Sequence, residues 1–273
     1  MQVKTSFLHI ALLLCGLFLV NHSTTAQVLL PQYSVWEGFA FDDKQSVESR
    51  GAEERFARFL LSLEQQTPTQ QAEQIGNLLA KAEQHNATAR FLMLADKYLY
   101  DPNSPYRNDE QYLLFLQYAA EQQLQEYVNN PRYQKHYTLV QKNRVGHKAM
   151  DFAYTTQAGN KGRLYDLQGP YILLFFHDPD CEECQYMRQQ LEKNYATFAQ
   201  KGVQVVAVYI DDEVAQWQKV EYPSEWLCVC AADIDSKDLY DIKALPTLYL
   251  LDAQKQVVVK DGNWGQLIHC FKQ

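Results

Sequence analysis

Beyond its first twenty residues the sequence has no stretch apolar enough to form a membrane helix, so no span is expected in the mature chain. It also has no excess of basic charge. Lys and Arg number 25 against 33 Asp and Glu, a net charge of −8. That balance argues against nucleic acid or an anionic membrane surface as a partner. No Gly-rich loop is placed to cradle a phosphate, no internal repeat is visible, and Ser, His and Asp do not stand at the spacing of a nucleophile elbow. His177 and His269 are candidate metal ligands but read better as isolated polar residues, so no metal and no cofactor is expected.

What is present begins with a leader. Lys4 followed by the apolar run Phe7 to Val20 and the small residues up to Ala26 has the form of a signal peptide, with cleavage expected after Ala26. Lipid attachment at Cys15 is the rival, but Leu14 precedes that cysteine where a small residue is wanted, and apolar residues continue after it. The mature chain is therefore expected in the periplasm, where disulfides form and persist. Loss of the leader removes Cys15 and leaves five of the six cysteines, an odd number that leaves one thiol unpaired or includes an exchanging pair.

The next hundred residues are patterned for helices. Phe56, Phe59, Leu60 and Leu63 share one face, as do Ile75, Leu78, Leu79 and Ala82. Asn108 is placed to cap a helix carrying Tyr112, Phe115, Leu116, Ala119 and Ala120, which should end before Asn129-Asn130-Pro131. The segment Asp101 to Arg107 is dense in turn formers. The expectation is an all-α domain over 32–144, an independent bundle without chemistry of its own.

The period changes near Val145, and a linker is expected over 143–148. Gly159-Asn160-Lys161-Gly162 marks a hairpin, and Tyr171 to Phe176 is a continuous apolar run of the kind that forms a buried strand. A helix is expected from Cys181 to Gln200, a second buried strand from Val203 to Ile210, and a helix from Asp212 to Val220. A strand pair over Leu248–Leu251 and Val257–Val259 precedes a final helix near Gln266 to Phe271. Alternating strands and helices imply an α/β layer fold over 145–273.

Cys181-Glu182-Glu183-Cys184 lies between the buried strand and the following helix. At a helix N-terminus the first N–H groups are unpaired and the dipole is positive, which favours a thiolate on the first cysteine. The second, one turn on, is placed to resolve a mixed disulfide. A silent structural disulfide is the competing reading. A zinc set completed by Cys228 and Cys230 fits poorly, because a CxC on an extended segment is not a zinc knuckle. Cys228, Cys230 and Cys270 have two readings here, a structural disulfide of one of the first two with Cys270, or buried thiols packing as small apolar groups.

With these motifs in hand, residues 146–260 resemble the TlpA/ResA-type branch of exported thioredoxin-like proteins. The matching stretches are Gly146 to Phe152, Asp178-Pro179-Asp180-Cys181-Glu182-Glu183-Cys184 and Tyr240 to Thr247. The preceding half is similar to an uncharacterised helical domain found before such domains, through Trp36-Glu37-Gly38-Phe39 and Tyr98 to Arg107. The resemblance implies a thiol–disulfide oxidoreductase with Cys181 and Cys184 as the redox pair and a cis peptide at Leu245-Pro246, whose two residues would contact substrate. Partners would be disulfide-bearing exported proteins and an upstream thiol electron donor. Two positions depart from the pattern: Asp180 replaces the aromatic residue before the first cysteine, and Phe175 replaces a buried acid. Proton transfer at Cys184 then needs another group or water, with Asp178, Glu182 and Glu183 as candidates. The acidic residues flanking Cys181 oppose its thiolate, which favours a reductase over an oxidase. A redox-silent adaptor would have no reason to hold Cys181, Cys184 and Pro246 together. A thiol peroxidase would need other residues where Leu174 and Asp178 stand.

Overall fold

A computed structural model describes residues 35–211 and 213–271; the expected leader and Cys15 lie outside them. Residues 38–273 form one compact unit.

The helical half opens with α1 (Lys44–Glu48), α2 (Arg50–Leu63), α3 (Pro68–Gln84) and α4 (Thr88–Ala95), followed by a widened π turn at Asp96–Tyr100. It continues through α5 (Asp109–Glu121), α6 (Gln125–Val128) and α7 (Pro131–Val140). The starts of α1, α2, α3, α5 and α7 are set by side chains that satisfy the first free N–H groups. Thr67 and Gln70 form a capping box with Pro68 next to it, and Asn108 accepts from the Gln111 N–H at 3.1 Å. The apolar stripes meet in one core, where the Phe56 ring lies 5.7 Å from Phe115 and 6.4 Å from Phe91. Asn129-Asn130-Pro131 does not only end helical structure. Asn130 caps α7 by accepting from the Arg132 N–H at 3.0 Å, and Pro131 takes its first position.

The second half holds β1 (Ala153–Thr156), β2 (Lys161–Arg163), β3 (Tyr171–Phe176), α8 (Glu182–Gln200), β4 (Val203–Tyr209) and α9 (Val214–Trp217). After them come β5 (Leu227–Cys230), α10 (Asp233–Ser236), β6 (Thr247–Asp252), β7 (Val257–Val259) and α11 (Trp264–His269). One sheet runs in the order β2-β1-β5-β4-β3-β6-β7. β3 and β4 are parallel, as are β4 and β5, whereas β6 runs antiparallel to β3. The central strands are buried on both faces, which is why they read as continuous apolar runs. Leu174, Phe176, Val206, Val208 and Tyr249 pack on one side; Leu173, Phe175, Val205, Ala207 and Leu248 pack on the other with Leu191 and Phe198 of α8. Gly202, at φ +71°, turns the chain from α8 into β4, where a side chain would meet Pro170.

The expected helix over 212–220 is a single turn. Trp217 is buried and stacks on Tyr209 at 6.0 Å, and the Gln157 Nε2 donates to the carbonyls of Trp217 and Val220 at 3.0 Å each. Those carbonyls are held by a side chain from the hairpin rather than by a further helical turn. The expected linker over 143–148 is bonded structure. Val145 and Lys148 bridge to Val257 and Gln256, and the Val257 N–H donates to the His147 carbonyl at 2.9 Å.

Candidate functional site

β3 delivers the chain to the carboxyl end of the sheet, and a tight turn reverses it into α8. Beyond Phe176, the His177 N–H still donates to the Val208 carbonyl at 3.1 Å. The Asp178 carboxylate then accepts from the Asp180 N–H at 2.7 Å, and Cys181 follows as the N-cap of α8. Its Sγ takes the place that a Ser or Asp oxygen fills at other helix starts, accepting from the Cys184 N–H at 3.1 Å. Cys181 and Cys184 are joined by a disulfide with Cα atoms 5.1 Å apart. The two sulfurs are unequal: Cys181 is half-buried, whereas Cys184 is 2% exposed.

Leu245 and Pro246 meet this pair from the far side of the sheet in sequence. The peptide between them is cis, and the Leu245 carbonyl oxygen lies 3.7 Å from Cys181 Sγ. Thr247 opens β6, and its Oγ1 donates to the Ala244 carbonyl at 2.6 Å, which fastens the turn. Beside the pair runs an open groove of about 300 Å³ lined by His177, Asp178, Tyr209, Asp211, Asp235 and Leu245.

Behind Cys184 lie an apolar cluster and a small cavity that His177, Tyr222 and the Arg188 guanidinium share. Phe175 occupies the position of the missing acid and packs in the same cluster as Cys184. A small cavity of about 30 Å³ lies between Cys184, His177, Arg188 and Tyr222. His177 is 3% exposed, stacks on Phe175 at 4.8 Å and meets the Tyr222 hydroxyl at 3.4 Å. Burial, with the nearby Arg188 charge, pushes its imidazole down to about 4, so it is neutral at ordinary pH. Sequence reasoning set His177 aside as a lone polar residue. The available signal was its place, directly after a wholly apolar strand and four residues before Cys181. Of the acids expected near Cys184, Glu182 and Glu183 are exposed, and Asp178 is engaged with the turn.

Of the two readings of Cys228, Cys230 and Cys270, the disulfide is not formed, and all three are free thiols. Cys228 and Cys230 lie on β5, whereas Cys270 follows α11 and lines a cleft beside Val258 and Val259 of β7. Strands β4, β3 and β6 stand between β5 and β7. Burial pushes the Cys228 thiol up to about 12, as befits a side chain packed as a small apolar group. Among the described residues no cluster of His, Cys, Asp and Glu is arranged to hold a metal ion, and no helix is long and apolar enough to cross a membrane.

A two-cysteine turn at a helix N-terminus, faced by a cis proline on a mixed sheet, defines the thioredoxin-like class. Comparison with known proteins agrees. Residues 145–260 match the AhpC/TSA family, and residues 19–143 match a domain of unknown function, DUF5106. A thioredoxin-like protein from Bacteroides caccae is 32% identical, with a TM-score of 0.79 over 87% of this chain and 90% of that one. The thiol-disulfide oxidoreductase ResA of Bacillus cereus is 27% identical over 130 residues, 47% of this chain and 75% of the relative. That of Bacillus subtilis is 29% identical over 116 residues, 41% of this chain and 64% of the relative. The chain belongs to the thioredoxin-like thiol–disulfide oxidoreductase family and carries a DUF5106 domain ahead of the thioredoxin-like one.

Proposed function

We propose that this protein reduces disulfides of exported proteins by dithiol–disulfide exchange at Cys181 and Cys184. The unequal burial of the two sulfurs at the start of α8, beside Leu245 and Pro246, supports this reading most directly. In the reduced protein the Cys181 thiolate attacks one sulfur of a substrate disulfide. The other substrate sulfur leaves as a thiolate and takes up a proton. Cys184 then gives up its proton and attacks Cys181 Sγ, which releases the second substrate thiol and closes the Cys181–Cys184 disulfide. Both electrons come from the dithiol, and an upstream thiol donor restores it. The α8 N-terminus favours the first thiolate, and burial keeps Cys184 protonated until the mixed disulfide forms beside it.

The exposed carboxylates Asp180, Glu182 and Glu183 around Cys181 oppose a stable thiolate and hence a stable reduced form. This favours a reducing potential, nearer the ~ −270 mV of thioredoxin than the ~ −120 mV of strong periplasmic oxidants. Export rests on the leader over residues 1–26, with a new N-terminus expected at Gln27.

The test uses two variants in the native compartment. Cys184→Ser keeps the attack and loses the release, so it should accumulate mixed disulfides visible on non-reducing gels. Cys181→Ser should lose both trapping and turnover. Trapping by Cys181→Ser alone would reverse the assigned roles. No trapping by either variant, with no disulfide reduction by the wild type, would overturn the proposal.

A further inference from the structure

The contact between the two halves is built from buried ions. Asp109, in the first turn of α5, holds the ammonium groups of Lys243 at 3.1 Å and Lys260 at 2.9 Å. Lys243 Nζ also pairs with Asp241 at 2.9 Å and lies 4.7 Å over the Tyr100 ring. The Tyr100 hydroxyl in turn donates to Asp241 Oδ1 at 2.8 Å. Arg107 reaches Asp261, donating to its carbonyl at 2.5 Å and pairing with its carboxylate at 3.3 Å. The Lys243 and Asp241 side chains are each only 2% exposed. Burial pushes the Asp109 carboxyl up, and the charges of Lys243 and Lys260 outweigh it, so it titrates below the usual carboxylate range.

Desolvation makes buried ion pairs weak contributors to stability, but an ammonium has three donors, and partners on several sides fix where it sits. Here it sits two residues before Leu245, whose carbonyl lies against Cys181 Sγ. Nearer the start of the same segment, Lys142 Nζ and Asn143 Nδ2 donate to the Asp238 and Leu239 carbonyls at 2.7 and 2.9 Å. At its far end, Thr247 holds the Ala244 carbonyl. The helical half thus grips residues 238–243, immediately ahead of the cis peptide, and does so with side chains 96 to 141 residues away in sequence.

We propose that the DUF5106 domain is a positioning element of the exchange site: through Asp109 and Tyr100 it holds the 241–246 segment in the form that docks the backbone of a protein substrate next to Cys181. This rests on the exchange reading above. Asp109 and Tyr100 act through Lys243 and Asp241 and do not touch the reacting sulfurs.

The experiment uses the full chain carrying Tyr100→Phe, which removes one hydroxyl and leaves every charge, and separately Asp109→Asn. With a protein disulfide, Tyr100→Phe should raise KM by about tenfold, the factor represented by one hydrogen bond to a charged group, with kcat little changed. Reduction of oxidised glutathione and the equilibrium potential of the Cys181–Cys184 pair should match the wild type. Amide hydrogen exchange should quicken over 241–247 and not over α8. Equal losses on glutathione and on the protein substrate would mark a general structural role and overturn the proposal, as would unchanged exchange over 241–247. If Asp109→Asn fails to fold, Tyr100→Phe still decides. If the wild type reduces no disulfide, the exchange reading fails on that result alone. The exchange pattern of Tyr100→Phe then decides whether the helical half grips the segment.

Discussion

Asp109, Lys243 and Asp241, where the halves meet, pair as ions away from solvent, whereas His177 and Cys228 near the disulfide are buried as neutral groups beside a half-buried Tyr222. Burial, the largest cause, holds the Tyr222 hydroxyl above its ordinary range. Lys243 keeps its proton for the opposite reason: burial works against the cation, and Asp109, Asp241 and Asp261 outweigh it. Charges buried in opposed sets fix direction, because moving any one of them leaves another uncompensated. Neutral polar groups beside a thiol do something else. Phe175 and His177 give Cys184 a surrounding that disfavours its anion, opposed by the Arg188 guanidinium that lines the same cavity.

The sharpest way to break this comparison is to remove the shared cation. Lys243→Met should leave Asp241 with an uncompensated buried charge, while Asp109 keeps Lys260, and destabilise the protein by about 3–5 kcal/mol in urea unfolding. Lys237→Met removes a pair with Asp233 whose members are both more than half exposed, and should cost no more than about 0.5 kcal/mol. Equal effects would show that burial does not separate the two kinds of pair.

A smaller effect is expected on the neutral side. His177 titrates near 4 in the folded protein against an ordinary 6.5, so protonation favours the unfolded chain. Its contribution is fully present above pH 6.5 and is lost as pH falls toward 4, up to about 3 kcal/mol. His177→Gln should flatten the fall in stability across that window, and an unchanged slope in urea midpoints against pH would remove His177 from the account. Asp109 acts in the same direction but lower. Its folded value lies below the ordinary one, so its contribution is lost only as pH falls through the carboxylate range.

The smallest effect concerns exposed charge. Glu182→Gln with Glu183→Gln should lower the Cys181 thiol pKa by less than about one unit, since solvent screens both carboxylates, and should move the potential in the oxidising direction. Thiol titration and equilibration against glutathione measure the two quantities. A rise in the thiol pKa would show that the acidic flank does not set the poise.

Much of this arrangement was legible in the sequence because it is local. The Phe56 stripe, the Asn108 cap, the apolar run from Tyr171 to Phe176 and the CxxC at a strand–helix junction each follow from neighbours within a few residues. The errors came where distant side chains decide. Gln157 captures carbonyls some sixty residues away and shortens the helix expected over 212–220. Asn130-Pro131 reads equally as a stop and as a start, and only packing shows that α7 follows. Cys228 and Cys270 look available to each other in sequence, but one sits on β5, the other follows α11, and both are free thiols. The pairing of Asp109 with Lys243 leaves no periodic or spacing signal at all, since it joins side chains 134 residues apart.

The chain leaving the helical half also has a bearing on self-association. Unpaired strand edges recruit strands of other molecules, and proteins blunt them with cover, charge or shortness. Here residues 145–149 lie along β7, with Gly146 and Ala149 donating to the Val257 and Lys255 carbonyls at 2.8 and 2.9 Å. At the opposite edge β2 is three residues long and carries Lys161 and Arg163. The segment that joins the halves thereby doubles as a guard strip, and a protease cut within it would bare the hydrogen-bonding groups of Lys255 and Val257 to intermolecular strand addition.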